Sequence, residues 1–264
     1  MRIHYMSDLH LEFGRLEKPL PKGDVVILAG DITLVKVLAG VNSSDRARSL
    51  RATTLAFFDE ARRNFNKVVY LMGNHEHYGS DIDTSSEVIR HFLPEVVLLE
   101  NEQLLLGDTI LCGATLWTDM GAGDPKVEKA IGASMTDFFA IKKRTATQSR
   151  PFRPSDAREL FAASIAYFGR MADENPEKNI VVATHHAPSA LGVGRATRAP
   201  VEALYAELHS FIEHRSNIRV WVHGHTHIQR SYNIGGCRVL TNARGYVGRE
   251  LGPLFFDPDR WFEV

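Results

Sequence analysis

Val68-Val69-Tyr70-Leu71-Met72-Gly73-Asn74-His75-Glu76 is the stretch on which the fold turns. Its apolar, partly β-branched start predicts a short strand buried on both faces. Glycine then releases the chain into Asn, His and Glu, polar groups that packing against an apolar core does not explain. The same order recurs along the chain. Ile3–Met6 leads into Ser7-Asp8-Leu9-His10, and Val25–Ala29 leads into Gly30-Asp31. Ile180–Ala183 leads into Thr184-His185-His186, and Ile218–Val222 into His223-Gly224-His225-Thr226-His227. Further strands are predicted at Val96–Leu99, Thr109–Cys112 and Val239–Thr241.

Helical periodicity separates several of these runs. Ser43–Phe65, Ser86–Phe92, Ser155–Met171 and Val201–His214 each repeat apolar residues at helical spacing, the last two introduced by Pro154 and Pro200. Leu104–Leu106 and Thr109–Leu111 flank Gly107-Asp108, and Gln229–Asn233 and Arg238–Thr241 flank Gly235-Gly236, so both pairs read as hairpins. Strands that alternate with helices early and late, and run consecutively in the middle, predict mixed sheets covered by helices. Asp119–Pro154 departs from this pattern. It is rich in Gly and Pro, carries the basic run Lys142-Lys143-Arg144, and reads as a long irregular excursion or a lid.

Composition narrows the class. The chain has 264 residues, 44% hydrophobic and 24% charged, with a net charge of −1. That length suits one α/β domain over residues 1–264, and the near-neutral balance argues against a broad basic face for nucleic acid. No apolar run approaches the roughly 20 residues of a spanning helix, and no secretory signal opens the sequence. Two cysteines, Cys112 and Cys237, read as free thiols of a cytoplasmic protein.

The strand ends carry the chemistry. Loops at the carboxyl ends of strands collect ligands in α/β sheets, and Asp, His and Asn suit divalent ions such as Zn, Mn or Fe. Asp8 and His10 lie two residues apart, so an extended backbone puts both on one face; His225 and His227 repeat the spacing. Asp31 has two oxygens with which to bridge two ions, and Asn74 adds a neutral oxygen. Asp8-x-His10 and Gly30-Asp31 are weak alone, Gly73-Asn74-His75-Glu76 and Gly224-His225-x-His227 more informative; five in this order, each at a strand end, point to a metal site.

Together Asp8-x-His10, Gly30-Asp31, Gly73-Asn74-His75-Glu76, His185 and Gly224-His225-x-His227 resemble the calcineurin-like metallophosphoesterase superfamily. The resemblance implies a four-layer α-β-β-α sandwich of two mixed sheets. It also implies two divalent metal ions (Mn, Fe, Zn or Ni, with Mn or Fe preferred). Asp8, His10, Asp31 and His227 would surround one ion; Asp31, Asn74, His185 and His225 would surround the other. His185 is chosen over His186 because it directly follows its strand. His75 would face the phosphoryl group and act with Asp31 in catalysis.

The implied reaction is phosphoester hydrolysis by in-line attack of a metal-bridging hydroxide. The second Asp and Arg that Ser/Thr protein phosphatases of the superfamily carry after the bridging Asp are missing from Ile32-Thr33-Leu34-Val35. A phosphodiesterase of small phosphate esters, such as cyclic nucleotides, is therefore expected. A phosphomonoesterase is the alternative, and a non-catalytic binding module a distant third. Trp117, Asp119 and Lys142–Arg144 are candidates for a partial lid, and Arg195, Arg198 and Arg244 for phosphate contacts. His77 and His223 flank the motifs as candidates to orient ligands.

Overall fold

A computed structural model describes residues 1–194 and 200–264. Among the described residues the strands are β1 (Arg2–Met6), β2 (Gly23–Ala29), β3 (Phe65–Leu71), β4 (Val97–Leu98), β5 (Glu102–Leu106), β6 (Thr109–Ala114), β7 (Lys142–Arg144), β8 (Ser149–Pro151), β9 (Asn179–Thr184), β10 (Ile218–His223), β11 (Ser231–Ile234), β12 (Cys237–Thr241) and β13 (Trp261–Glu263). One sheet has the order β13-β1-β2-β3-β4, and the other β11-β12-β10-β9-β6-β5. In the first, β1 to β4 are parallel and β13 adds an antiparallel edge. In the second, the parallel strands β6, β9, β10 and β12 are flanked by the two expected hairpins.

Strand alternation explains the layers. Val25, Ile27 and Ala29 of β2 face inward with Val69 and Leu71 of β3, against Leu111, Val181, Ala183 and Val222 of the other sheet. Their neighbours Val26, Leu28, Val68 and Tyr70 face outward and pack with Phe57, Phe58 and Ala61 of the helix Asp45–Asn64 and Ile89 of the helix Ile82–Phe92. On the far side Cys112, Ile180, Val182 and Trp221 pack with Phe168 and Ala172 of the helix Pro154–Asp173 and with Ile212. Each central strand is thus apolar on both faces, which is why it reads as an unbroken run. The mixed α/β architecture is the four-layer sandwich expected.

Two expectations fail. Val201–His214 is not one helix. It makes a short turn over Val201–Ala203 and a helix over His209–Glu213. Between them the Ala206 and Leu208 N–H groups donate to the carbonyls of Ala187 and Pro188, at 3.0 Å each, instead of to a preceding helical turn. Tertiary backbone pairing has overridden helical periodicity. Asp119–Pro154, expected to be irregular, holds helices over Pro125–Ser134 and Asp137–Ala140 and the β7–β8 hairpin. Its Met120, Ile131, Phe138, Ile141 and Phe152 form a core of their own with Trp117. Asp124 caps the longer helix and Pro125 opens it, a start signal legible in the sequence.

Phe58 is fully buried, with its ring 5.5 Å from that of Tyr70, where helix meets sheet. Phe58→Ala is expected to cost about 3–5 kcal/mol of unfolding free energy. Urea denaturation monitored by circular dichroism checks this; a near-zero cost would contradict the packed outer layer.

Candidate metal centre

The carboxyl ends of β1, β2 and β3 meet those of β9 and β10 at one edge of the sandwich. The Gly224 N–H donates to the His185 carbonyl (3.0 Å) and the Asp8 N–H to the Gly30 carbonyl (2.9 Å). The His225 N–H crosses between sheets to the Asp8 carboxylate (2.9 Å). Gly73 makes room: a Cβ there would collide with the Asp31 carboxylate and with His185 Cε1. Asp8, His10, Asp31, His225 and His227 all sit in the left-handed backbone region, with φ between 43° and 66°. That conformation costs an ordinary residue about 1–2 kcal/mol. Strain concentrated on these side chains marks a functional cluster.

Two donor sets result, with Asp31 in both. Ligand atoms of Asp8, His10, Asp31 and His227 lie within 4.8 Å of one another, as do those of Asp31, His185 and His225. In the first set His10 Nε2 faces His227 Nε2 at 3.0 Å, His227 Nε2 lies 3.3 Å from Asp8 Oδ1, and His10 Nε2 lies 3.7 Å from Asp31 Oδ2. In the second, His185 Nε2 lies 3.4 Å from Asp31 Oδ1, 3.0 Å from Asn74 Oδ1 and 3.2 Å from His225 Nδ1. The opposite oxygens of Asp31 therefore serve opposite sets. Buried nitrogens and carboxylate oxygens brought this close, with His225 Nε2 left unpartnered, fit the chemistry of cation binding.

Of the two adjacent histidines, His185 joins the cluster. The His186 ring turns away, its Nδ1 against the Thr115 carbonyl (3.2 Å), and packs behind the His225 ring at 4.1 Å. His75 is held by Glu12 Oε1 at its Nδ1 (3.1 Å) and meets the Tyr246 hydroxyl at its Nε2 (3.0 Å). The same Glu12 oxygen lies 3.2 Å from His10 Nδ1. Glu250 accepts from His227 Nδ1 at 2.7 Å. Asp137, from the 119–154 segment, accepts from Asn74 Nδ2 at 2.7 Å.

None of these supports was legible beforehand, because each comes from a segment without a motif. Glu76 was visible only as the end of its motif. Its carboxylate accepts from the N–H groups of Asp31 (2.9 Å), Ile32 (2.7 Å) and Gly73 (2.7 Å) and from the Tyr70 hydroxyl (2.6 Å).

Other expected residues lie elsewhere. Arg244 is buried and donates to the carbonyls of Leu9 (2.9 Å), Gly14 (2.7 Å) and Arg15 (2.6 Å), so it braces the loop after β1. Arg195 and Arg198 fall outside the described residues. Trp117 is buried in a core, and Lys143 pairs with Asp83 (3.3 Å) at the surface, so neither covers the cluster. The Asp119 carboxylate only closes a turn, accepting from the Gly121 N–H at 3.0 Å. His77 stacks on Trp117, and His223 bonds the Gly224 carbonyl and the Tyr232 hydroxyl.

Charge is arranged around the shared carboxylate. Burial would lower His185, but Asp31 and Asp8 raise it to about 9. Burial likewise opposes the rise of His227, which Asp8 and Glu250 push up to about 10. Burial and the neighbouring imidazoles hold His225 well below its ordinary value, so it is neutral. Despite burial, the adjacent imidazoles keep Asp31 well below the usual carboxylate range. A cleft of about 460 Å³ opens over the cluster, its lining including Asp31, Asn74, His75, Met135, Leu204 and Ile228.

Residues 1–229 match the family model of the calcineurin-like phosphoesterases, and the chain belongs to that family. It is a metal-dependent phosphoester hydrolase. A protein of Acanthamoeba polyphaga mimivirus called L509, itself uncharacterised, is 26% identical over 93% of this chain and 92% of its own. The phosphopantetheinyl hydrolase of Mycobacterium tuberculosis superposes with a TM-score of 0.63 at 20% identity, covering 92% of this chain and 89% of the other. A dimetal phosphatase from Danio rerio gives 0.53 at 10% identity, covering 94% and 88%. At these identities the structural likeness speaks for the fold. No described helix is long and apolar enough to cross a membrane.

The raised histidines set a pH dependence. In the metal-free protein their ion pairs with Asp8 and Asp31 contribute stability that is complete below pH 6.5 and lost as pH rises through about 9–10. A metal must displace those protons, so its affinity should rise with pH over the same interval. Calorimetric manganese titrations in buffers of different ionisation enthalpy should record proton release at pH 7; no release would contradict the raised values.

Proposed function

We propose that the chain hydrolyses small phosphodiesters, cyclic nucleotides among them, with two divalent ions held by the donor sets that share Asp31. Asp8, His10, Asp31 and His227 would hold one ion; Asp31, Asn74, His185 and His225 the other. The observation that carries this reading is the shared carboxylate, one oxygen turned to each set. The ions, which we take to be manganese or iron, would supply Lewis-acid charge to the phosphoryl oxygens and lower the pKa of a coordinated water.

The rest falls to the protein's own groups. Glu12 holds the His75 ring by Nδ1 and leaves Nε2 toward the cleft, beside the Tyr246 hydroxyl. In the metal-free protein burial lowers His75, yet Asp31 and Glu12 outweigh it and raise the ring above its ordinary value. We assign His75 to protonating the leaving alkoxide, a contribution typically worth about 10²–10⁴-fold. Met135, Val193, Leu204 and Ile228 line the same cleft and suit the organic substituents of a diester. The near-neutral charge favours small esters over nucleic acid, and the two unpaired buried cysteines suit a cytoplasmic enzyme.

The experiment is to strip the metal and restore Mn, Fe, Zn or Ni while assaying bis(p-nitrophenyl) phosphate beside p-nitrophenyl phosphate. Diester turnover restored by metal and lost in Asp31→Asn, together with bound ions, is the expected outcome. Turnover of the monoester alone would make the enzyme a phosphomonoesterase. For His75→Ala the loss should reach about 10²-fold or more with an alkyl leaving group and be far smaller with p-nitrophenolate, which departs without a proton. Equal losses on both would remove the acid role.

A further inference from the structure

We propose that Asp137 is a positioning residue for the second metal site: it fixes the side-chain amide of Asn74 so that the carbonyl oxygen, not the NH₂ group, faces His185 and Asp31. The proposal rests on the two-ion reading above and extends it to the 119–154 segment.

An asparagine amide has one oxygen that can ligate a cation and one nitrogen that cannot, related by a half-turn of the side chain. What decides between them is the partner on the other side. Here Asn74 Nδ2 lies 2.7 Å from Asp137 Oδ1 and 3.0 Å from the Tyr78 hydroxyl oxygen. The Tyr78 hydroxyl is itself committed to Asp137 Oδ1 at 2.6 Å, so its oxygen is free to accept from the amide. Asp137 Oδ1 therefore accepts two hydrogen bonds. Turning the amide over would set its oxygen against that carboxylate oxygen. Asn74 Oδ1 consequently points to His185 Nε2, 3.0 Å away.

Asp137 is itself well held. It is buried at the start of the helix Asp137–Ala140, next to Phe138 of the small core. The Gly79 N–H donates to the Ala140 carbonyl (2.8 Å) and the Lys142 N–H to the Ser80 carbonyl (3.0 Å). Backbone bonds thus tie the segment to the loop that carries Asn74. The segment also supplies Ser134, Met135 and Thr136 to the cleft lining. It forms a fixed wall of the site, and its Asp137 acts on the second ion through Asn74.

The test is manganese binding to the full-length chain by calorimetry, with electron paramagnetic resonance to separate paired from isolated ions. Asp137→Asn offers the amide a donor as well as an acceptor, and should weaken the second ion by about 10–100-fold, the usual range for such outer partners. The first ion should be retained and the resonance should become that of an isolated ion. In an Asn74→Asp background both ligand atoms are oxygens, so adding Asp137→Asn should cause no further loss. Such rescue distinguishes orientation from general loosening of the segment, which would weaken binding in both backgrounds and overturn the proposal.

Parental binding of both ions by Asp137→Asn would also overturn it. A parent protein that takes up fewer than two ions would overturn the two-ion reading itself, and this inference with it. Should Asp137→Asn fail to fold, as read by circular dichroism of the metal-free protein, Asp137→Ser carries the test. It removes the carboxylate acceptor of the amide and leaves the Tyr78 hydroxyl in place. Weaker second-site binding supports the proposal; parental binding of both ions overturns it.

Discussion

The Glu76 carboxylate joins the two strand-end loops on which the cluster is built. One oxygen accepts from Asp31 N–H and Gly73 N–H, the other from Ile32 N–H and the Tyr70 hydroxyl. A buried charge is tolerated only when several donors surround it, and these donors come from β3 and from the turns that follow β2 and β3. Burial and the nearby Asp31 charge push its pKa to about 7 against the pull of those donors. The loop after β2 is thereby locked to the loop after β3. Asp31 turns one carboxylate oxygen to each donor set, with Oδ1 also accepting from the His75 N–H at 2.9 Å.

That lock makes the backbone strain intelligible. Asp8, His10, Asp31, His225 and His227 all adopt positive φ, which for non-glycine side chains persists only where the surroundings impose it. The imposing structure is a pair of mixed sheets whose inner faces bury Val25, Ile27, Val69, Val181 and Val222 against one another. The sheets bring five loops to one edge, and short backbone bonds between loops leave the side chains no other direction. The price is a metal-free cluster of crowded imidazoles and carboxylates, held together by protons where cations belong.

The surroundings of the cluster divide its labour. Glu12, Glu250 and Asp137 each hold an outward-facing nitrogen, on His75 and His10, on His227 and on Asn74. Partners of this kind fix which ring nitrogen or which amide atom is presented inward. They come from the turn after β1, the chain after β12 and the 119–154 segment. A cluster drawn from the strand ends is thus oriented by residues drawn from the segments packed around it.

The strand-end motifs were legible because a buried parallel strand is an unbroken apolar run. A polar His, Asp or Asn straight after it has no packing reason to be there. From those runs and from helical spacing the sequence determined the mixed sheets, the three longest helices and the seven side chains from Asp8 to His227 that converge. Arg244 shows the limit of such reading: a charged residue looks the same in sequence whether it meets phosphate or, as here, three backbone carbonyls. Val201–His214 shows another, since helical spacing gave way to backbone bonds with Ala187 and Pro188, remote in sequence. Only the tertiary structure decided which of His185 and His186 turns inward, and that Glu12, Asp137 and Glu250 stand behind the cluster. Orientation depends on a hydrogen-bond partner across space, and spacing along the chain carries no record of that partner.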